Sequence, residues 1–318
     1  MKKYQTPNLV VSKCIEFESC RYNGLIIASP FIKQLKNYIN FIPVCPEVEI
    51  GLGIPRDPIR LVEINGEINL IQPSKDLNLT QSMEEFSSAF LSSLTDMDGF
   101  ILKNKSPSCG VKAVRVYPHP GNSRPKTDGI GLFANSIFNE FPYTPVEDEG
   151  RLRNLQIRED FLTAIYTLSD FRNVKKSQKV SELIDFHSQN KFLLMAYNQN
   201  IVKEMGQMLG NQKNYSNDDL FLNYGYMLSK ILKKPPEIPS NINVLMHVFG
   251  YVSDKLNHEE KLFFLDSLEK YRQGIMPLLV CLNLLKSWVI RFEQDYLTKQ
   301  SFFQPYPPEL MPVTTIQR

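Results

Sequence analysis

Three short apolar segments in the first third of the chain each run into a cysteine-bearing turn. Asn8–Ser12 stops two residues before Cys14, Phe41–Val44 stops at Cys45, and Gly99–Lys103 leads into KSPSCG and Cys109. Apolar runs of this length, bounded by turn formers, are buried strands. Helical patterns lie between them. Pro30–Tyr38 has Ser29 as N-cap and Pro30 in the first turn, and Leu77–Leu94 is amphipathic. Arg60–Gln72 alternates about Asn65-Gly66, which is a hairpin signal. Strands alternating with helices make a parallel sheet, and such sheets bind ligands beyond the carboxyl ends of their strands. Cys14, Cys45 and Cys109 would therefore meet at one edge, although 31 and 64 residues separate them.

After Gly110 the pattern weakens. GNSRPKTDGIGLF is rich in turn formers, and FPYTPVEDEGRLRN reads as an extended loop. From about Arg158 the period becomes helical: Asp160–Phe171, Ser177–His187, Phe192–Leu209, Asp218–Leu232, Asn241–Asn257, Glu259–Tyr271 and Met276–Tyr296. Lys233–Ser240 (KKPPEIPS) interrupts this series, and FFQPYPPELMP closes it as an extended segment. The expected fold is an α/β N-terminal domain over residues 1–157, with a short, mostly parallel sheet and flanking helices. An all-α C-terminal domain over residues 158–318 follows.

The 318 residues are 42% hydrophobic and 22% charged, which suits two packed cores. No apolar run reaches about 18 residues, so no membrane span is expected. The start, MKKYQTPNLVVSKC, lacks the apolar core of a signal peptide, so a cytoplasmic location with reduced thiols is expected. The net charge is +2, with −1 on residues 1–160 and +3 on the remainder. Charge alone announces no nucleic-acid partner, although a local patch is compatible with one.

Five cysteines, an odd number, fit metal binding or catalysis better than a disulfide framework. Their spacing excludes a ferredoxin-type run and a CxxC zinc ribbon. Pro43 and Pro46 flank Cys45, and Pro107 and Gly110 flank Cys109, giving loops that can bend around a bulky soft metal centre. Three such thiols without an obvious fourth would leave one coordination position open to substrate. Inert buried cysteines are the ordinary alternative, above all for Cys281. Cys20 is undecided.

Four segments in order, VSKCIEFESCRYNG, PVCPEVEIGLGIPRDP, LKNKSPSCG and VEDEGRLRN, resemble the thiouracil desulfurase (TudS-like) family. DFHSQNKFLLMAYNQNIVKEMGQMLG and QPYPPELM resemble the YbgA-like domain often fused to it. The fused arrangement is similar to bacterial desulfidases acting on 4-thiouridine in tRNA. The resemblance implies a [4Fe–4S] cluster on Cys14, Cys45 and Cys109, whose free iron takes the substrate sulfur in a non-redox hydrolysis. One departure stands in the first motif, where Ile15-Glu16-Phe17-Glu18 replaces a small apolar stretch; the two acids are expected on a solvated surface.

Within that scheme the attacking water needs a base, and Glu47, two residues after Cys45, is the first candidate, ahead of Glu49. Ser106 and Ser108 are candidates to donate hydrogen bonds or relay a proton, with a loop-capping role as the alternative. Arg21 and Arg56 are candidate contacts to phosphate or a ring carbonyl, and Lys103 and Lys105 to RNA backbone. Each could instead serve a structural ion pair or a solvated surface.

In the second half, His187, His247 and His258 stand alone and suggest no catalysis. Lys175, Lys176, Lys179, Lys191, Tyr197 and Lys203 could form an RNA-gripping surface or a solvated helix face. The expected partner is tRNA carrying 4-thiouridine, or a small thiolated pyrimidine. Other readings are desulfuration of free thiouracil or thionucleosides, a cluster-bearing RNA-binding regulator without turnover, and a zinc protein.

Overall fold

The computed structural model describes residues 3–121 and 123–311. The chain divides into two compact units. One comprises the residues up to Ser169 with the segment from Leu310, and the other comprises Asp170–Glu309.

The first unit contains strands β1 (Asn8–Ser12), β2 (Asn40–Val44), β3 (Arg60–Ile64), β4 (Glu67–Gln72), β5 (Leu77–Asn78), β6 (Gly99–Leu102), β7 (Val114–Tyr117), β8 (Lys126–Gly129) and β9 (Val146–Asp148). Its helices are α1 (Pro30–Leu35), α2 (Pro46–Glu49), α3 (Thr80–Ser93) and α4 (Leu132–Glu140). A fifth helix, α5 (Leu155–Ser177), passes from the first unit into the second.

β1, β2, β6 and β9 form an all-parallel sheet in the order β2-β1-β6-β9. β1 and β6 are buried along nearly their whole length, as expected for strands covered on both faces. The order reverses direction at β1, so the crevice between the ends of β1 and β6 is a topological switch point.

A second, mixed sheet runs β5-β4-β3-β7-β8. It grows from the hairpin at Asn65-Gly66, where both residues have positive φ (52° and 85°), as a tight two-residue turn between twisted strands requires. Val10, Phe100, Leu61, Leu70, Met83 and Phe133 share one core cluster with residues from both sheets.

Several local expectations change. The segment from Leu77 begins as a strand, since Leu77 and Asn78 pair with Gln72 and Ile71. The helix starts only at Thr80, where Asn78 Oδ1 accepts the Thr80 N–H (2.9 Å). Val146–Asp148, expected as loop, pairs with β6; its two carboxylates obscure the strand pattern, Glu147 being held by Arg151 and Asp148 by Asn104. In the second half, the helix beginning at Val180 does not break near residue 190. Buried Asn190 bonds back to Phe186 O (2.9 Å) and receives Ser301 Oγ (2.6 Å), so the polar interruption is absorbed.

The second unit is helical: α6 (Val180–Tyr197), α7 (Gln199–Gly210), α8 (Asn217–Leu232), α9 (Ile238–Gly250), α10 (His258–Arg272), α11 (Leu278–Arg291) and α12 (Asp295–Thr298). Its core holds Phe249 stacked on Phe264 with Trp288 against them. Cys281 sits in this core, its thiol directed at Ser267 O, so it is a packing residue. The closing segment makes two short 3₁₀ turns, Ser301–Phe303 and Pro308–Leu310, and is not continuously extended; Pro312 lies outside the described residues. Among the described residues no helix is long and apolar enough to cross a membrane.

Candidate active site

The carboxyl ends of β1, β2 and β6 open onto a cavity of about 470 Å³. Cys14 follows β1, Cys45 follows β2 and caps α2, and Cys109 lies in the loop after β6. All three line the cavity, as does Cys20. The four are buried and none is in a disulfide.

Lone burial raises thiol pKa values because the thiolate loses water without gaining a cation. Burial pushes Cys109 up to about 12. The neighbouring Cys14 thiol, with burial adding, pushes Cys20 up to about 11. Cys45 is also raised, first by Cys20 and then by burial. Four neighbouring thiols in this state are a donor set for a soft cation, which would reverse these shifts. Among the described residues no group of three His, Cys, Asp or Glu is placed to hold a single metal ion. Four buried thiols lining one cavity are the donor type that an iron–sulfur cluster takes.

Glu47 stands in the first turn of α2, at the wall of the same cavity. Its two oxygens have separate partners. Oε2 receives Arg56 Nη2 (2.6 Å) and Nε (2.9 Å). Oε1 receives the hydroxyls of Ser108 (2.5 Å) and Ser106 (3.3 Å), which lie 2.9 Å from each other. Arg56 also donates to Cys20 O (3.0 Å), so one guanidinium fixes the carboxylate and the loop that carries a thiol. With side-chain exposures of only 5% for Arg56 and 13% for Glu47, this ion pair is shielded from water and salt. Ser106 is both a loop cap and a member of this network. Its Oγ accepts the backbone N–H groups of Ser108 (3.2 Å) and Cys109 (3.1 Å).

Two features hold the serine loop, of which the sequence reading foresaw only Gly110. The first is glycine. A Cβ on Gly131 would stand 2.4 Å from Ser108 O, and one on Gly110 would stand 2.7 Å from Ser106 O. That close approach lets the start of α4 donate to the loop, Leu132 N to Pro107 O (3.1 Å) and Ala134 N to Ser108 O (3.1 Å). The second is the acidic pair at the end of β9, Asp148 and Glu149. Glu149 receives Lys103 Nζ (2.8 Å) and Asn104 N (2.7 Å), and Asp148 receives Asn104 Nδ2 (3.1 Å) and the N–H groups of Gly150 and Arg151. The signal was present in VEDEG as three consecutive acids before a glycine.

All of the proposed site residues except the second-choice base, Glu49, line this one cavity, and their surroundings differ. Lys103 is engaged with Glu149. Arg21 lies 5.7 Å from the Tyr22 ring centroid, and Lys105, at φ 56°, is exposed at the rim. Glu49 is not among the lining residues. Glu18 is exposed and pairs with Lys13. Glu16 departs from the expected solvated position: it is half-buried, with Oε1 accepting Ser29 N and its carbonyl accepting Lys36 Nζ. Its φ of 66° makes the turn after Cys14.

In comparisons with known proteins, residues 9–149 match the 2-thiouracil desulfurase family model, and residues 191–307 match a family described as a protein of unknown function (DUF1722). The uncharacterized protein YbgA of Escherichia coli K12 is 27% identical over 157 residues, covering 48% of this chain and 93% of the relative. The uncharacterized protein YbbK of Bacillus subtilis 168 is 30% identical over 110 residues, covering 32% and 72%. A solved structure of the [4Fe-4S]-dependent thiouracil desulfidase TudS is 24% identical and covers 48% of this chain and 98% of its own, with a TM-score of 0.38.

Proposed function

The chain belongs to the 2-thiouracil desulfurase family through residues 9–149, and on that premise we propose that it replaces sulfur by oxygen in a thiolated pyrimidine, with 4-thiouridine of tRNA as the substrate. The observation that carries this reading is Glu47 Oε1 beneath two serine hydroxyls on the wall of a cavity lined by four thiols. The reaction is a hydrolysis: C=S and water give C=O and hydrogen sulfide, and no electrons are gained or lost.

Cys14, Cys45 and Cys109 would hold a [4Fe–4S] cluster. When bound, it supplies a Lewis-acidic iron with affinity for a soft sulfur ligand. This chain's own residues do the rest. Glu47 accepts a proton from the attacking water, directly or through Ser108, whose hydroxyl already points at Oε1. Ser106 extends the path to the cavity. Arg56 holds Oε2, so the carboxylate presents one oxygen to the reaction and cannot rotate away. Glu149 and Gly131 fix the loop that carries both serines and Cys109.

The helical unit is proposed to hold tRNA. Lys191 and Lys203 line a second cavity, of about 800 Å³, with His187, Tyr296 and no carboxylate in its wall. Such a surface suits a phosphate backbone. Lys179, by contrast, is engaged with Glu182.

The test is anaerobic turnover by the iron-reconstituted full chain on bulk tRNA containing 4-thiouridine, on free 4-thiouridine and on thiouracil. The expected result is the highest kcat/KM on tRNA. Turnover of thiouracil without turnover of tRNA would reject the tRNA assignment. Cluster binding with no turnover of any of the three would favour a regulator.

A further inference from the structure

The cavity between α6 and α7 has features that a phosphate backbone alone leaves unused. Its volume of about 800 Å³ is that of a pocket for a whole small molecule, about 300–1,000 Å³. Lys191 lines it from α6 and Lys203 from α7, and neither ammonium has a carboxylate partner among the described residues. Tyr296 lines the same wall, its ring backed by Phe192 and Tyr251 with 6.1 Å between centroids in each case. An aromatic surface held in this way stacks a nucleobase.

His187 of α6 also lines the cavity, and two observations define its outward nitrogen. The first is Gly206, in the middle of α7, where glycine weakens a helix. A Cβ there would stand 3.5 Å from His187 Nε2, an ordinary contact, and among the described residues no other atom outside α7 comes within 4 Å. Packing does not demand the glycine; its missing side chain leaves Nε2 uncovered toward the cavity that both residues line. The second is Tyr224. Its hydroxyl is fully buried, and His187 Nδ1 lies 3.2 Å away as its partner. A buried hydroxyl proton without an acceptor is costly, so Tyr224 donates to Nδ1 and the imidazole proton sits on Nε2. Burial, with Lys191 adding, pushes His187 down to about 4, so the ring stays neutral. The cavity therefore receives an uncharged N–H donor alongside two cations.

We propose that this cavity seats one unpaired nucleotide: phosphate on Lys191 and Lys203, base against Tyr296, and a carbonyl or ring nitrogen of the base accepting His187 Nε2–H. A base paired within a duplex has its edge and both faces occupied, so the nucleotide is a single-stranded, flipped-out or free one. The inference rests on the reading that the helical unit holds tRNA, which would supply the nucleotide from an unpaired segment.

The experiment uses the full chain labelled with ¹⁵N-histidine, which has four histidines to resolve. His187→Gln identifies the His187 signal. Wild type, the double variant Lys191→Ala with Lys203→Ala, and Gly206→Ala are titrated with adenosine and uridine 5′-monophosphates, the two nucleosides and inorganic phosphate, and tRNA binding is measured by filter retention. The resting spectrum is expected to show His187 protonated on Nε2. The monophosphates should shift that signal, binding about tenfold tighter than the nucleosides or phosphate. The double lysine variant should lose about tenfold for the monophosphates and little for the nucleosides. Gly206→Ala should keep or raise the thermal midpoint while losing the shift, which separates a covered site from a misfolded one. A resting proton on Nδ1, phosphate bound as tightly as the monophosphates, or a His187 signal undisturbed in every titration would overturn the inference. Retention of tRNA equally by wild type and Gly206→Ala, with no His187 shift, would overturn it and leave the tRNA reading intact. Monophosphate binding at His187 with no tRNA retention would sustain the site and reject the tRNA reading.

Discussion

At the residue scale, the site is organised by the division of one carboxylate between two partners. Arg56 takes Glu47 Oε2, and the serines take Oε1. Glu47→Gln preserves the size and one acceptor but removes the carboxylate proposed as the base. The expected outcome is a fall in kcat of about 10²–10⁴-fold with little change in KM, read from steady-state sulfide release. The two serines should separate. Ser106 also caps two backbone N–H groups, so Ser106→Ala should lower both stability, by about 1 kcal/mol, and turnover. Ser108, which donates its shortest bond to Glu47, should lose turnover with less effect on the denaturation midpoint. A matched loss of stability in both variants would show that the pair is a loop cap and not a relay. That Glu47, Ser106 and Ser108 share one cavity with the thiols was legible from their nearness to Cys45 and Cys109. The Arg56–Glu47 pair was not, because the contact depends on how the GIPRDP loop folds back over α2 and not on spacing alone.

At the element scale, three parallel strands deliver three cysteines to one switch point, and their short apolar runs made that legible. The elements that lock the site were harder to see. β9 carries two acids in three residues, and its strand character comes from pairing with β6 and not from an apolar pattern. α4 reaches the serine loop only because Gly131 has no side chain. Gly131→Ala places a carbon against the Ser108 backbone, so it should cost roughly 1–3 kcal/mol in stability and displace Ser108 from Glu47. Denaturation and kcat measured on the same preparation check this; unchanged values for both would mean that the close approach does not govern the loop. Glu149→Ala should likewise lower stability, by about 2 kcal/mol, since it removes a charge-assisted bond from Lys103 and the acceptor for Asn104 N–H. Glu149→Gln, which keeps an acceptor, should recover part of that loss.

At the scale of the whole molecule, the change from strand–helix alternation to continuous helical periodicity was legible, because the two periods differ over long windows. The position of the α6–α7 break was not. It falls at Asn198, which caps α7 by accepting Ile201 N–H (3.1 Å), while the polar stretch before it stays helical. The helical unit should also be acid-sensitive. Burial, with Lys191 adding, pushes His187 down to about 4, and its Nδ1 lies 3.2 Å from Tyr224 Oη. The unfolded chain takes up this proton below about 6.5. The stability contributed by neutral His187 is therefore complete above that value and is lost as pH falls towards 4, by about 2–3 kcal/mol in all. Thermal unfolding of wild type and His187→Gln between pH 7 and 4 checks this, and the two curves should converge as pH falls. Parallel curves would contradict it.

The central claim is hydrolytic desulfuration at the thiol-lined cavity. It is tested most directly by incubating the reconstituted chain anaerobically with 4-thiouridine-containing tRNA in ¹⁸O-labelled water, without reductant, beside Cys45→Ala. The account predicts one sulfide released for each ¹⁸O atom found in the product uridine, and no product from Cys45→Ala. Turnover that requires a reductant, or that persists in Cys45→Ala, would contradict it.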